Sequence, residues 1–145
     1  MKALALLLAL AFISSSRLAA EDTWLTDLPK ALEQAKAQKK MVLLDFTGSD
    51  WCPPCKALHK TVLTSPEFSK FAKDNLVLVE LDFPRSKQQS AELKAANQAL
   101  SKKHEIRGYP TIIVLDADGK ELFKKVGYGG TAAADYVADL AKLKK

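Results

Sequence analysis

The stretch Met41-Val42-Leu43-Leu44-Asp45-Phe46-Thr47-Gly48-Ser49-Asp50-Trp51-Cys52-Pro53-Pro54-Cys55 decides the reading of this chain. It opens on a short apolar run, predicted as a buried strand over 41–46 with one misfit, Asp45. A loop over 47–50 follows, then the only two cysteines of the sequence, three positions apart. A helix is predicted to begin at this motif and to run past Leu58 and His59. The N-terminus of a helix favours negative charge, so a cysteine placed there has a stabilised, reactive thiolate. Such a thiolate attacks a foreign disulfide, and a second thiol one turn away resolves the mixed disulfide. Position assigns Cys52, at the helix tip, as nucleophile and Cys55 as resolving thiol.

Other uses of the pair remain open at this point. A structural staple across three residues constrains little of the unfolded chain. A zinc site needs about four ligands, and the chain offers this pair plus His59 and His104. Covalent haem attachment needs a histidine directly after the second cysteine, where Lys56 stands. No metal site is therefore expected, and redox chemistry is the favoured reading.

Outward from the motif the chain alternates helical and strand patterns. Asp27 and Pro29 start a helix carrying Leu28, Ala31, Leu32 and Ala35. Ser65-Pro66 starts another, with Phe68, Phe71 and Ala72 on its apolar face. Leu76 to Leu81 reads as a second strand, 83–90 as a polar loop, and Leu93, Ala96 and Leu100 as a helix. Thr111 to Leu115 is strongly β-prone. Asp116-Ala117-Asp118-Gly119 is a hairpin signal leading to a partner strand over 122–126. Thr131 is the predicted cap of a last helix with Ala133, Tyr136, Val137, Leu140 and Leu143. This order predicts an α/β fold around one mixed sheet.

The whole chain has 145 residues, 48% apolar and 27% charged, and a formal charge of +5. That is the composition of one globular domain, and it excludes collagen-like, coiled-coil and wholly disordered classes. Two cysteines cannot build a disulfide-dense scaffold. Residues 1–20 read as a secretory signal peptide: Lys2, then the apolar run Ala3 to Ile13, then small residues near Ala19-Ala20. Cleavage after Ser16 and an uncleaved anchor are the alternatives, but the run is short for a membrane span. The domain expected after it covers 21–145. Two of the 22 basic residues, Lys2 and Arg17, lie in that leader, and the small excess left over the 17 acidic ones points to no particular partner. No nucleic-acid signature, nucleophilic serine motif or phosphate loop is present.

Leu44-Asp45-Phe46, Trp51-Cys52-Pro53-Pro54-Cys55-Lys56 and Ile106-Arg107-Gly108-Tyr109-Pro110-Thr111 together resemble the thioredoxin superfamily. The loop 46–51 looks most like secreted bacterial thioredoxin-like proteins. The resemblance implies a thioredoxin fold, with a central mixed sheet flanked by helices on both faces, and a cis Tyr109–Pro110 bond. It implies that Trp51, Tyr109, Pro110 and Thr111 border the substrate, with Trp51 and Tyr109 flanking an exposed Cys52 sulfur. It places Asp45 beneath Cys55 as its proton partner. Burial raises a carboxyl pKa, which suits that role. The sequence departs from the family at Glu80, where a lysine is usual. If Glu80 points inward, two carboxyls share one site; it could equally face solvent. Lys56, Pro53 and Pro54 are further modulators, the prolines because they carry no N–H for the Cys52 thiolate.

These features imply a protein disulfide oxidoreductase, periplasmic or secreted and without cofactor, and the family resemblance implies a monomer. It would act on disulfide-containing exported proteins, as a reductase fed by a membrane thiol electron donor. Without the leader no stable membrane insertion is expected. An oxidase or isomerase is the alternative enzyme. A non-catalytic thioredoxin-fold module, binding exported chains or metal, is the alternative of another class.

Overall fold

The computed structural model describes residues 23–144, so the expected leader over 1–20 lies outside the described residues. Four strands form one mixed sheet in the order β2-β1-β3-β4. These are β1 (Met41–Thr47), β2 (Leu76–Asp82), β3 (Thr111–Leu115) and β4 (Glu121–Val126). β1 runs parallel to β2 and antiparallel to β3. β3 and β4 form the predicted hairpin, with Gly119 of its turn at φ 86°, a conformation that costs glycine little. Leu25 adds a short parallel bridge to Val79 beyond β2 and so covers part of that edge.

Helices pack on both faces, as the sequence predicts. Leu28, Ala31 and Ala35 of α1 (Leu28–Gln38) cover Val42, Leu44 and Phe46 on one face. On the other, α2 (Pro53–Leu58), a π-helical turn over His59–Leu63, α3 (Pro66–Asn75) and α5 (Ala133–Ala141) enclose Leu43, Leu78, Ile112 and Val114. Strand alternation makes the division: Leu43 and Asp45 point one way, Val42, Leu44 and Phe46 the other. Asp45 therefore shares a face with the cysteine helix.

Local signals hold where a side chain caps its own helix. Asp27 accepts from the Lys30 amide at 3.0 Å and Ser65 from the Phe68 amide at 3.1 Å. Two expectations change. α5 begins after Ala132, not Thr131, and has no side-chain cap. In α4 (Ala91–Lys103) the fully buried residue is Asn97, whereas Leu93 is half-buried and Ala96 exposed. The Nδ2 of Asn97 donates to the Asp82 carbonyl at 3.0 Å, which ties the helix to the end of β2 and offsets part of the cost of burying the amide. Among the described residues no helix is long and apolar enough to cross a membrane.

Candidate active site

Cys52 is the N-cap of α2, with Pro53 and Pro54 as the first two helical residues. The backbone turns tightly to reach it: the Trp51 and Cys52 amides both donate to the Gly48 carbonyl, at 3.2 and 2.9 Å. Cys52 and Cys55 are disulfide-bonded, with Cα atoms 5.3 Å apart. The Cys55 amide donates to Cys52 Sγ at 3.3 Å. An N-cap side chain normally takes its bond from the second or third helical amide. Pro54 has removed the second, so one donor serves this sulfur. The expectation of an exposed Cys52 sulfur is not met in this state. Cys52 is only 3% exposed, because the disulfide turns Sγ back over the first turn of α2.

Trp51 is pinned rather than free. Its Nε1 donates to the Phe83 carbonyl at 2.8 Å, its ring meets Tyr109 edge-on with centroids 5.8 Å apart, and the Arg85 guanidinium lies 3.8 Å above it. A Cβ on Gly48 would overlap the indole, so glycine is required for this close approach. The neighbouring Asp50 carboxylate accepts from the amides of Arg85, Ser86 and Lys87 at 3.0, 2.7 and 3.0 Å. Those bonds, the Arg85 amide foremost, hold its carboxyl down at about 2. Ser49 donates to Asp82 through both its amide and its hydroxyl, at 2.9 and 2.6 Å. The sequence pattern shows 83–90 only as a polar loop. The structure binds it to the cysteine motif through the Asp50 side chain, and no pattern within the loop points to that contact.

The Tyr109–Pro110 peptide is cis. Pro110 is buried, and its carbonyl accepts from the Gly127 amide at 2.7 Å. Thr111 was placed at the substrate border by resemblance, but it is fully buried and its hydroxyl donates to the Gly108 carbonyl at 2.8 Å. Its side chain braces the loop from inside. Tyr109 is half-buried against Phe83, with ring centroids 5.2 Å apart.

Beneath the cysteines a cavity of about 310 Å³ is lined by Asp45, Cys55, Glu80, His59, Lys56 and Lys87, with Thr47 and Ser49. Asp45 is 4% exposed and its Oδ1 has no hydrogen-bond partner among the described residues. Burial, then the charges of Glu80 and Asp82, push its carboxyl up to about 7. Glu80 is the register partner of Asp45 across β1 and β2 and lines the same cavity. Its own carboxyl is raised, first by burial and then by Asp82. In the sequence pattern Tyr136 is a core position of the last helix. Its hydroxyl is also buried without a partner among the described residues, and burial followed by the Asp45 charge pushes its pKa up.

His59 lies on the cavity rim, but His104 is elsewhere, its Nδ1 3.2 Å from Glu121 and its ring against Phe46. Among the described residues no group of three or more His, Cys, Asp or Glu side chains is placed to hold a metal. Lys56 is exposed and donates to the Asp50 carbonyl at 3.2 Å. Pro53 and Pro54 are exposed on the first turn.

A thioredoxin-like domain model matches residues 28–143. The disulfide bond reductase DsbH of Chlamydia pneumoniae is 38% identical over 118 residues, covering 79% of this chain and 70% of that protein. The thioredoxin-related protein DsbJ of Chlamydia pneumoniae is 31% identical over 112 residues, or 77% of this chain; the match spans only 32% of that longer protein. Among solved structures, a DsbH oxidoreductase superposes with a TM-score of 0.78 at 32% identity, covering 93% of each chain.

Proposed function

The chain belongs to the thioredoxin-like family and is a protein disulfide oxidoreductase, and from that premise we propose that it is a reductase of disulfides in exported proteins. One observation carries the direction. With prolines at the first two helical positions, a single amide, that of Cys55, reaches the Cys52 sulfur. A thiolate with fewer donors is less stabilised, so its disulfide is a weaker oxidant and its dithiol a stronger reductant.

In the proposed cycle the Cys52 thiolate attacks a substrate sulfur, a mixed disulfide forms, and one substrate thiolate leaves. Cys55 passes its proton to Asp45 and attacks Cys52 Sγ. The second substrate thiolate departs and is protonated, leaving the Cys52–Cys55 disulfide. Two electrons have then moved to the substrate. The raised pKa of Asp45 supports its role, since a group near neutrality can take and release a proton at physiological pH. Trp51, Tyr109 and Pro110 form the rim on which the substrate segment lies, and Thr111 supports that rim. Residues 1–20 act as the export signal and 21–145 as the working domain, in the periplasm or outside the cell. The oxidised pair is recharged by a membrane thiol carrier.

The deciding experiment is the reduction potential of the pair, by equilibration against glutathione and a reference thioredoxin. A value near −270 mV is expected, and one near −120 mV would mean an oxidase. Absence of a reversible couple would remove the catalytic role.

A further inference from the structure

Arg85 is an exposed arginine whose backbone is held in place. Its amide is bound by Asp50, and the Phe83 carbonyl two residues before it is bound by Trp51. Its guanidinium lies over the indole of Trp51, the residue directly before Cys52 in the chain, with Cζ 3.8 Å from the ring centroid. A guanidinium held against an aromatic face still has N–H donors to offer a second partner. Among the described residues Arg85 forms no ion pair, and the carboxylate of Asp50 is engaged by three backbone amides, that of Arg85 included. Arg107, just before the Gly108-Tyr109-Pro110 loop, lines one hollow with Phe83 and Tyr109, where Glu105 is the opposing acid, and Lys56 donates to the carbonyl of Asp50, whose carboxylate binds the Arg85 amide.

We propose that Arg85 is a specificity-determining residue that binds a carboxylate of the substrate segment, so that disulfides flanked by Asp or Glu are preferred. A planar guanidinium seated against an aromatic ring fits a carboxylate in two parallel hydrogen bonds. Because the loop is tied down beforehand, little ordering entropy is lost when the partner arrives. This inference rests on the disulfide-exchange reading above and narrows its substrates.

The test uses three short peptide disulfides that are identical but for Asp, Asn or Lys two positions from the cysteine. Each is mixed with an excess of the dithiol form of the protein, and the second-order rate constant of its reduction is measured at low and high salt. The Asp peptide is expected to exceed the Asn peptide about three- to fivefold at low salt, as a well-placed surface pair allows, with the Lys peptide slower than both. That ratio falls with salt. In Arg85→Ala it falls to one, and in Arg85→Glu it inverts. The ratio is unaffected by a general change in Cys52 reactivity, which moves all three peptides together. Equal rates on the three peptides, or a preference that survives in Arg85→Ala, would overturn this inference alone. No turnover of any peptide would overturn the exchange reading and this inference with it.

Discussion

Asp45 and Glu80 are register partners on the parallel strands β1 and β2, and both line the cavity that reaches Cys55. Burial of Asp45 disfavours its charged form, and two carboxyls facing one space cannot both ionise cheaply. Burial first, and Glu80 second, therefore keep the proton on Asp45 up to about 7.

The first consequence is a pH dependence of stability. In the unfolded chain Asp45 ionises near 3.8, in the folded one near 7. Between those values the native state holds a proton the unfolded state has lost, so stability falls as pH rises through the window. Below 3.8 the contribution is fully present, and above 7 it is gone. Asp45→Asn, neutral throughout, should gain on the parent from near zero at pH 4 to about 2–4 kcal/mol at pH 8. Denaturant titrations of both proteins across that range check it. Parallel curves would contradict the burial argument.

Glu80→Gln removes the second cause of the Asp45 shift while leaving burial in place. The inflection in the pH profile of Cys55 reactivity should therefore move to lower pH without vanishing. Alkylation rates of the reduced pair from pH 5 to 9 measure it. An unmoved inflection would show that the two carboxyls are not coupled.

Pro54→Ala restores an amide at the second helical position, where an N-cap side chain looks for a donor. The Cys52 thiolate should become more stable, its pKa lower, and the pair more oxidising by about 30 mV, the equivalent of one charge-assisted hydrogen bond. Equilibration against glutathione reads the potential, and thiolate absorbance reads the acidity.

Asp50→Ala removes the acceptor of three loop amides at once. Hydrogen exchange at Arg85, Ser86 and Lys87 should accelerate tenfold or more, while β1 and β3 amides keep their protection. Exchange followed by NMR or mass spectrometry separates the two outcomes.

Gly48→Ala places a methyl group into the Trp51 ring. The ring is held by Phe83, Tyr109 and Arg85 and yields only by breaking those contacts. A loss of about 1–3 kcal/mol is expected, as for other overpacked sites, with a change in tryptophan fluorescence.

Read along the chain, local rules determine a good deal here. The apolar run 41–46, the caps at Asp27 and Ser65, the Asp116–Gly119 turn and the spacing of Cys52 and Cys55 each depend on residues a few positions apart. Periodicity and capping carry that information, so the α/β class and the cysteine pair at a helix tip are legible without coordinates. Alternation along β1 also makes Asp45 the misfit of a buried strand.

What remained was decided by contacts across long stretches of chain. Whether Glu80 faced the cavity or solvent depended on its pairing with β1, 35 positions away, and no pattern within β2 settles it. Thr111 turned inward because Gly108 offered it a carbonyl, although its place beside Pro110 suggested the substrate side. The loop over 83–90 looked like solvated connection because polar composition alone does not reveal a partner. Asp50, Trp51 and Arg85 meet across more than 30 positions of sequence, and only the folded sheet brings β1 and β2 to end side by side. The sequence alone determined which atoms carry the redox chemistry; the tertiary structure decided what surrounds them, because burial and partner choice are properties of packing.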